Sequence, residues 1–472
     1  MIEACQAASS VSNSLTEGYG LATMEPSTQI PIVAIVGRPN VGKSSLFNRY
    51  SGQRRALVAD TPGLTRDRIV EAIEVEGRPI LLVDTAGLEP DAHRGLPAAV
   101  QAQAEAAVKE ADAILFVVDG KAGILPEDEQ IARTLRRTDK PLSLLVNKID
   151  IPHMHSDRVF EFHQLGFERI TGVSAEHGGG AFDALEELVA SLPADDTSAH
   201  ADPSVTRIAL VGRPNVGKSS LVNRLLGQER VVVSNEPGTT RDAIDVRLTR
   251  GERNYILVDT AGLRRPGRRS GTGEQVGAMM SVRALQRAQV ALLLIDAEEG
   301  FTDQDAHIGR LARDMGVGTV TVPNKWDQVP GEKRVETLES IAHGLRFMPD
   351  APSVPISALT GSGIEKLWPA VTQVALAGGR EIGTAELNRW LEETVIRHDP
   401  GMAKRGSRSR PLKFLYAAQT GTHPPSFVLF CTAPEAVLPS YERFLENRLR
   451  ETFDLEGTPI RLELRSRRKK GA

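Results

Sequence analysis

The chain contains a long segment twice. Ile35-Val36-Gly37-Arg38-Pro39-Asn40-Val41-Gly42-Lys43-Ser44-Ser45-Leu46 returns 175 residues later as Leu210-Val211-Gly212-Arg213-Pro214-Asn215-Val216-Gly217-Lys218-Ser219-Ser220-Leu221. At the same offset, Pro62-Gly63-Leu64-Thr65-Arg66-Asp67 returns as Pro237-Gly238-Thr239-Thr240-Arg241-Asp242. Val83-Asp84-Thr85-Ala86-Gly87-Leu88 returns as Val258-Asp259-Thr260-Ala261-Gly262-Leu263. Further on, Asn147-Lys148-Ile149-Asp150 matches Asn324-Lys325-Trp326-Asp327 at offset 177, and Ser174-Ala175 matches Ser357-Ala358 at 183. The offset grows in small steps, as loop insertions would make it grow. A period this long belongs to a duplicated domain, not to a solenoid.

The repeat sets the expected layout. Residues 193–204 are polar, acidic and proline-bounded, so they read as a linker between copies at 30–192 and 205–377. Residues 378–466 are enough for a small third domain, followed by a basic tail at 467–472. Residues 1–29 hold no Lys or Arg, so neither a secretory nor a mitochondrial leader is expected there, and they read as a disordered extension.

Within a copy, the apolar runs Ile32–Val36, Ile80–Val83, Ala113–Val118 and Leu142–Val146 alternate with helical patterns at Ala98–Glu110 and Asp128–Arg137. That alternation predicts an α/β fold with a mostly parallel sheet covered by helices on both faces. Ligands of such sheets sit at the C-terminal strand ends. The third domain reads as small α+β, with strands at Leu412–Tyr416 and Phe427–Phe430 and a helix at Ser440–Phe453.

The repeated motifs carry phosphate chemistry. Gly37-Arg38-Pro39-Asn40-Val41-Gly42-Lys43-Ser44-Ser45 follows a strand and opens a helix, as does Gly212-Arg213-Pro214-Asn215-Val216-Gly217-Lys218-Ser219-Ser220. This is the P-loop context, in which glycines let successive N–H groups converge on phosphate oxygens at a helix N-terminus. Lys43 and Lys218 then reach the β- and γ-phosphates, and Ser44 and Ser219 reach Mg²⁺. Asp84 and Asp259 end apolar strands, where a Walker-B aspartate holds the Mg²⁺ shell. Thr65 and Thr240 can complete that shell, and Gly87 and Gly262 let a backbone N–H approach a γ-phosphate. Asn147-Lys148-x-Asp150 and Asn324-Lys325-x-Asp327 select the base. Each aspartate can accept two hydrogen bonds from guanine, whereas facing adenine it stays unpaired, a mismatch worth roughly 10⁴-fold. The loops Ser174-Ala175 and Ser357-Ala358 are placed to offer a backbone N–H to the guanine oxygen.

This ordered set resembles a Ras-like GTPase domain. Two in tandem, with the segments 441–450 and 456–461 in the third domain, resemble the EngA (Der) family of double-Era-like bacterial GTPases over residues 30–466. The resemblance implies a C-terminal KH-like domain and the cofactors GTP/GDP and Mg²⁺. It implies K⁺ linked to Asn40 and Asn215, with potassium-stimulated hydrolysis. It also implies association with the large ribosomal subunit and its rRNA during assembly. Leu88 and Leu263 stand where Ras-like proteins carry a water-positioning Gln, so slow intrinsic turnover is expected. Ser45 and Ser220 replace the family's more frequent Thr, Pro323 precedes the second Asn-Lys-x-Asp, and no Gly-x-x-Gly loop marks the third domain. The alternatives left open are a nucleotide-held scaffold, an ATP-dependent P-loop enzyme and another tandem or RNA-modifying GTPase.

Composition bears on partners. The net charge of −4 divides into −9 for residues 1–379 and +5 for 380–472. The basic share favours RNA contact, most of all through Arg465–Lys470. Arg264, Arg265, Arg268 and Arg269 form a second basic cluster. Eight aromatics fall in the third domain and read mainly as core. Two cysteines, Cys5 and Cys431, exclude a disulfide framework, and no apolar run is long enough to span a membrane. A cytoplasmic monomer is expected.

Overall fold

The computed structural model describes residues 30–53, 70–84, 105, 108–149, 155–193, 205–227, 232–234, 245–258, 281–405 and 408–466. Two compact units divide the chain, one reaching Thr372 and one starting at Gln373.

The first unit holds both copies. In the first copy the strands are β1 (Ile32–Val36), β2 (Val70–Val75), β3 (Arg78–Asp84), β4 (Ala113–Asp119), β5 (Leu142–Asn147) and β6 (Ile170–Gly172). Its helices are α1 (Lys43–Gln53), α2 (Pro126–Leu135), α3 (His155–Glu161) and α4 (Ala181–Ala190). The sheet order is β2-β3-β1-β4-β5-β6. Only β2 runs antiparallel, to β3; the other pairs are parallel. Every residue of β1 and β4 is buried, the pattern of strands covered on both faces. Along β1, Ile32, Ala34 and Val36 enter one core cluster. Val33 and Ile35 enter the other, as the two-residue period of a strand requires.

The second copy repeats the order with β7 (Val205–Val211), β8 (Val232–Ser234), β9 (Val246–Arg250), β10 (Arg253–Leu257), β11 (Val290–Asp296) and β12 (Gly318–Asn324). Its helices are α5 (Lys218–Leu226), α6 (Asp303–Asp314), α7 (Arg334–Gly344) and α8 (Leu367–Gly378). Its sheet order is β12-β11-β7-β10-β9-β8. Where the first copy places β6, the second has a single bridge, Thr321 to Ser353. Arg283 ties the copies, donating to the Asp112 carboxylate at 2.6 Å and the Glu110 carbonyl at 3.0 Å.

Local sequence explains the element ends. α2 starts at Pro126, two residues before the expected Asp128, because proline's missing N–H and fixed φ suit the first helical position. It stops at Leu135, short of the expected Arg137. The expected helix at Ala98–Glu110 lies mostly outside the described residues.

The second unit contains α9 (Thr384–Arg397), β13 (Met402–Arg405), β14 (Arg408–Pro411), β15 (Phe414–Gly421), β16 (Ser426–Cys431), α10 (Pro439–Thr452) and β17 (Arg461–Ser466). β15 and β16 are antiparallel, and β17 joins β16 in parallel after α10. β15 begins at Phe414, two residues later than expected. Leu412 instead ends the preceding segment, its amide donating to the Gly401 carbonyl at 3.0 Å. Trp390, Phe427 and Phe453 are buried core, while Tyr416 is exposed.

Candidate functional site

The motif residues of the first copy gather where β1, β3, β4 and β5 end. Gly37 follows β1 directly, Asp84 closes β3, Asp119 closes β4 and Asn147 closes β5. Two glycines let the loop close over this edge. A Cβ on Gly37 would lie 2.3 Å from the Val117 carbonyl oxygen, and one on Gly42 would lie 2.2 Å from Asn147 Nδ2. Gly42 also has φ +98°, where side chains are strained. In the second copy the same distances are 2.4 Å for Gly212 to Leu294 and 2.1 Å for Gly217 to Asn324. Asn40 and Asn215 adopt φ 63° and 64° without being glycine, a conformation that costs roughly 1–2 kcal/mol and so must be held in place.

The holding residues come from the base-recognition motif. Lys148 Nζ donates to the Asn40 carbonyl at 2.9 Å and to Asp119 Oδ2 at 2.7 Å. In the second copy Lys325 Nζ meets Asp296 Oδ2 at 2.5 Å. Burial pushes the Asp119 carboxyl up, but the Lys148 hydrogen bond and the amides of Lys121 and Ala122 outweigh it, leaving the carboxyl below its ordinary range. Lys325 is raised by its hydrogen bond to Asp296, against burial, with Glu298 and Glu299 adding to the rise.

Asn147 and Asn324 act as internal struts. Each Nδ2 donates to a P-loop carbonyl, Val41 or Val216, at 2.7 Å. Each Oδ1 accepts the amide of Ala175 or Ala358 at 2.9 Å. That amide, which the sequence offers to a guanine oxygen, therefore already has a partner within the protein. Arg49 of α1 secures the same loop, donating to the Ala175 carbonyl at 2.6 Å and to the Glu176 carbonyl. Arg224 of α5 does so at Ala358 (3.2 Å) and Leu359.

The P-loop lysines rest on their own loops. Lys43 Nζ donates to the Gly37 carbonyl at 2.8 Å and the Arg38 carbonyl at 2.7 Å. Lys218 makes the equivalent bonds to Gly212 and Arg213 at 2.5 Å each. Ser44, Ser45 and Ser220 are exposed at the helix starts and Ser219 is half-buried, while Ser174 and Ser357 are buried. Asp84 is buried, in register with Ile35. Asp327 is exposed. Thr65, Gly87, Asp150, Thr240, Asp259 and Gly262 lie outside the described residues.

Reading motifs alone missed three pairs that hold the arrangement: Arg49 with Arg224, Asp119 with Asp296, and Asp128 with Asp305. All three recur at the repeat's own offsets of 175 and 177, so the duplication itself could have found them.

Fold and loops together define a P-loop GTPase carried twice in one chain. A family model described as "50S ribosome-binding GTPase" matches residues 32–148 and again 207–325. A second, "KH-domain-like of EngA bacterial GTPase enzymes, C-terminal", matches 381–465. The chain is 45% identical to a GTPase Der of Syntrophotalea carbinolica, over 92% of its own length and 99% of that protein's. To a GTPase Der of Moorella thermoacetica it is 46% identical, over 93% and 99%. A crystal structure of an Aquifex aeolicus Era variant bound to GDP·AlF4⁻ is similar over 56% of this chain and 93% of its own, at 26% identity and TM-score 0.29. The chain belongs to the GTPase Der (EngA) family of double-GTPase-domain proteins. Among the described residues, no helix is long and apolar enough to cross a membrane.

Proposed function

We propose that both copies bind and hydrolyse GTP, and that their nucleotide states govern association with rRNA on the large ribosomal subunit during its assembly. One observation carries this reading. The strut between P-loop and base loop is present in both copies with matching distances, so neither copy has the marks of a decayed scaffold.

In this reading Lys43 and Lys218 bind the β- and γ-phosphates, and Asp150 and Asp327 read guanine. Bound γ-phosphate orders Thr65, Gly87, Thr240 and Gly262, and hydrolysis releases them. The domain limits are those of the repeat: GTPase domains at 30–192 and 205–377 and a KH-like domain at 378–466. The protein works as a cytoplasmic monomer.

The residues present suit the implied ions. Ser44 and the buried Asp84 supply hard oxygen donors beside the loop, as Mg²⁺ shared with phosphates requires. Among the described residues no cluster of three or more His, Cys, Asp or Glu competes for a metal. Ser44, Thr65 and Asp84, with Ser219, Thr240 and Asp259, would hold Mg²⁺, which neutralises developing phosphate charge when bound. Asn40 and Asn215, exposed and in the left-handed region, would offer amide oxygens to K⁺.

Single-turnover hydrolysis with Lys43→Ala and Lys218→Ala tests the enzymatic part. Each substitution should remove one site's turnover and leave the other's. If one substitution changes nothing, that copy is a scaffold. Protection against heat by ATP as strongly as by GTP would defeat the base assignment, and equal rates in sodium and potassium would defeat the K⁺ role. Pelleting with ribosomal subunits under a GTP analogue and under GDP, across salt, tests the partner. Binding that ignores the nucleotide would defeat the switch.

A further inference from the structure

Arg38 and Arg213 each follow the first P-loop glycine. Each reaches the helix that follows β4 or β11 in its copy. Arg38 Nε donates to Asp128 Oδ2 at 3.3 Å. Arg213 Nε spans Oδ1 and Oδ2 of Asp305 at 3.0 and 3.1 Å, and its Nη1 meets Glu299 Oε2 at 3.0 Å. Asp128 and Asp305 are fully buried, each the third residue of its helix.

Both aspartates also serve their own helix. Asp128 Oδ2 accepts the Leu125 amide at 3.1 Å. Asp305 Oδ2 accepts the Thr302 amide at 3.1 Å and its hydroxyl at 2.9 Å. A capping carboxylate facing water would do this without an arginine. Burying it completely makes a cationic partner necessary, because an unpaired buried charge is costly. The partner comes from the P-loop, and from the residue whose carbonyl carries the P-loop lysine. An unbroken chain of hydrogen bonds thus runs from helix start to aspartate, to arginine, to lysine ammonium, in both copies.

We propose that Arg38 and Arg213 are positioning residues for hydrolysis: clamped by a buried aspartate, each fixes the carbonyl on which the P-loop lysine rests. The proposal rests on reading both copies as GTP sites. A charge placed off its mark loses transition-state stabilisation more than ground-state binding. The clamps differ in completeness. Asp305 has both oxygens bonded, whereas Asp128 Oδ1 is buried without a protein partner; the Nη2 atoms of Arg38 and Arg213 are alike in having none. The first clamp is one hydrogen bond and the second is a fork.

The test uses the full chain with one site silenced through its P-loop lysine. In the Lys218→Ala chain, Arg38→Ala should lower kcat about tenfold while KM and fluorescent-GDP affinity stay within about threefold. Arg38→Lys keeps a charge and one donor, so it should restore most of kcat. Arg213→Lys, in the Lys43→Ala chain, should restore little, because one ammonium cannot span Asp305 and Glu299. Asp128→Asn should mimic Arg38→Ala, and the double substitution should add nothing further. Additive losses, or GDP affinity and melting temperature falling in step with kcat, would make the arginine merely structural and overturn the proposal. If Arg38→Ala does not fold, Asp128→Asn decides, since it keeps the cap acceptor: full kcat there also overturns it. Absence of GDP binding by the unsubstituted chain would remove the site reading and the proposal together. Normal binding with unaltered kcat in Arg38→Ala removes the clamp alone.

Discussion

After β4 of the first copy come Lys121 and Ala122; after β11, at the same place, the second copy has Glu298 and Glu299. Around the base loop, Ile149 is buried in the first copy, while Trp326 is half-exposed in the second with the Arg334 guanidinium 5.7 Å from its ring centre. Leu125 precedes α2 with no hydroxyl, whereas Thr302 caps α6 through its side chain. Against these differences, the asparagine struts agree to a tenth of an ångström. Ties between a short side chain and the backbone leave no freedom and are kept. The lysine–aspartate and arginine–aspartate pairs recur as well, while the outer charge differs, since the Glu299 pair of Arg213 has no counterpart at Ala122. The copies thus share one binding frame and differ in how firmly and with what charge it is held.

The largest effect should come from the frame itself. Gly42→Ala or Gly217→Ala drives a methyl into the asparagine strut and strains a left-handed residue. Each should weaken GDP binding at its own copy by about a hundredfold or more, near 2.8 kcal/mol, in a fluorescent-GDP titration. Near-normal binding by either would break the claim that the two frames are equivalent.

Next come the aspartates under the lysines. Asp119→Ala or Asp296→Ala strands the lysine of the base motif paired with it, and charged hydrogen bonds are worth about 1.5–3 kcal/mol. A loss of affinity of roughly tenfold is expected at the affected site, measured in the same titration. Lys148 also bonds Asn40, so a smaller loss at the first copy than at the second would sharpen the comparison.

Exchanging the outer ring should matter less. Glu299 is 63% exposed, so its pair with Arg213 is worth about 1 kcal/mol at most. Glu299→Ala should lower kcat at the second copy by less than about fivefold, a span within 1 kcal/mol. Ala122→Glu should raise it at the first if the same geometry is reached. Opposite signs would show that the outer charges repel phosphate more than they steady the loop.

The smallest expected effect is on pH. The Asp119 carboxyl is depressed, so its stabilisation is complete above about pH 4 and is lost as the pH falls through the depressed value. Thermal melts of the unsubstituted chain and Asp119→Asn should differ by a constant amount from neutrality to about pH 4 and converge below it. A difference that instead closes near pH 6 would assign the effect to another group.

Most of the fold was legible because the strands are long, apolar and repeated. β1 matches the expected Ile32–Val36 residue for residue, and the other expected runs of the first copy extend by one or two at their ends, whereas the expected strand from Leu412 begins only at Phe414 and runs on to Gly421. The site was legible as motifs, which name the loops but not what joins them. Asn147 reads as part of a base-recognition signature, yet its side chain ties Val41 to Ala175 across 106 and 28 residues. Asp128 reads as an ordinary first-turn acid of a helix. Its partner, Arg38, lies 90 residues away, and no local pattern connects them.

The sequence by itself determined the duplication, the parallel sheets and the identity of the phosphate and base loops. These depend on local periodicity and on glycines whose backbone freedom is intrinsic. Only the tertiary structure decided that Lys148 holds Asn40, that Asn147 braces the loops, and that Arg38 is clamped from behind by Asp128. Those contacts exist because separate strands end side by side. Spacing along a chain does not report which ends meet, or which buried charge finds its partner there.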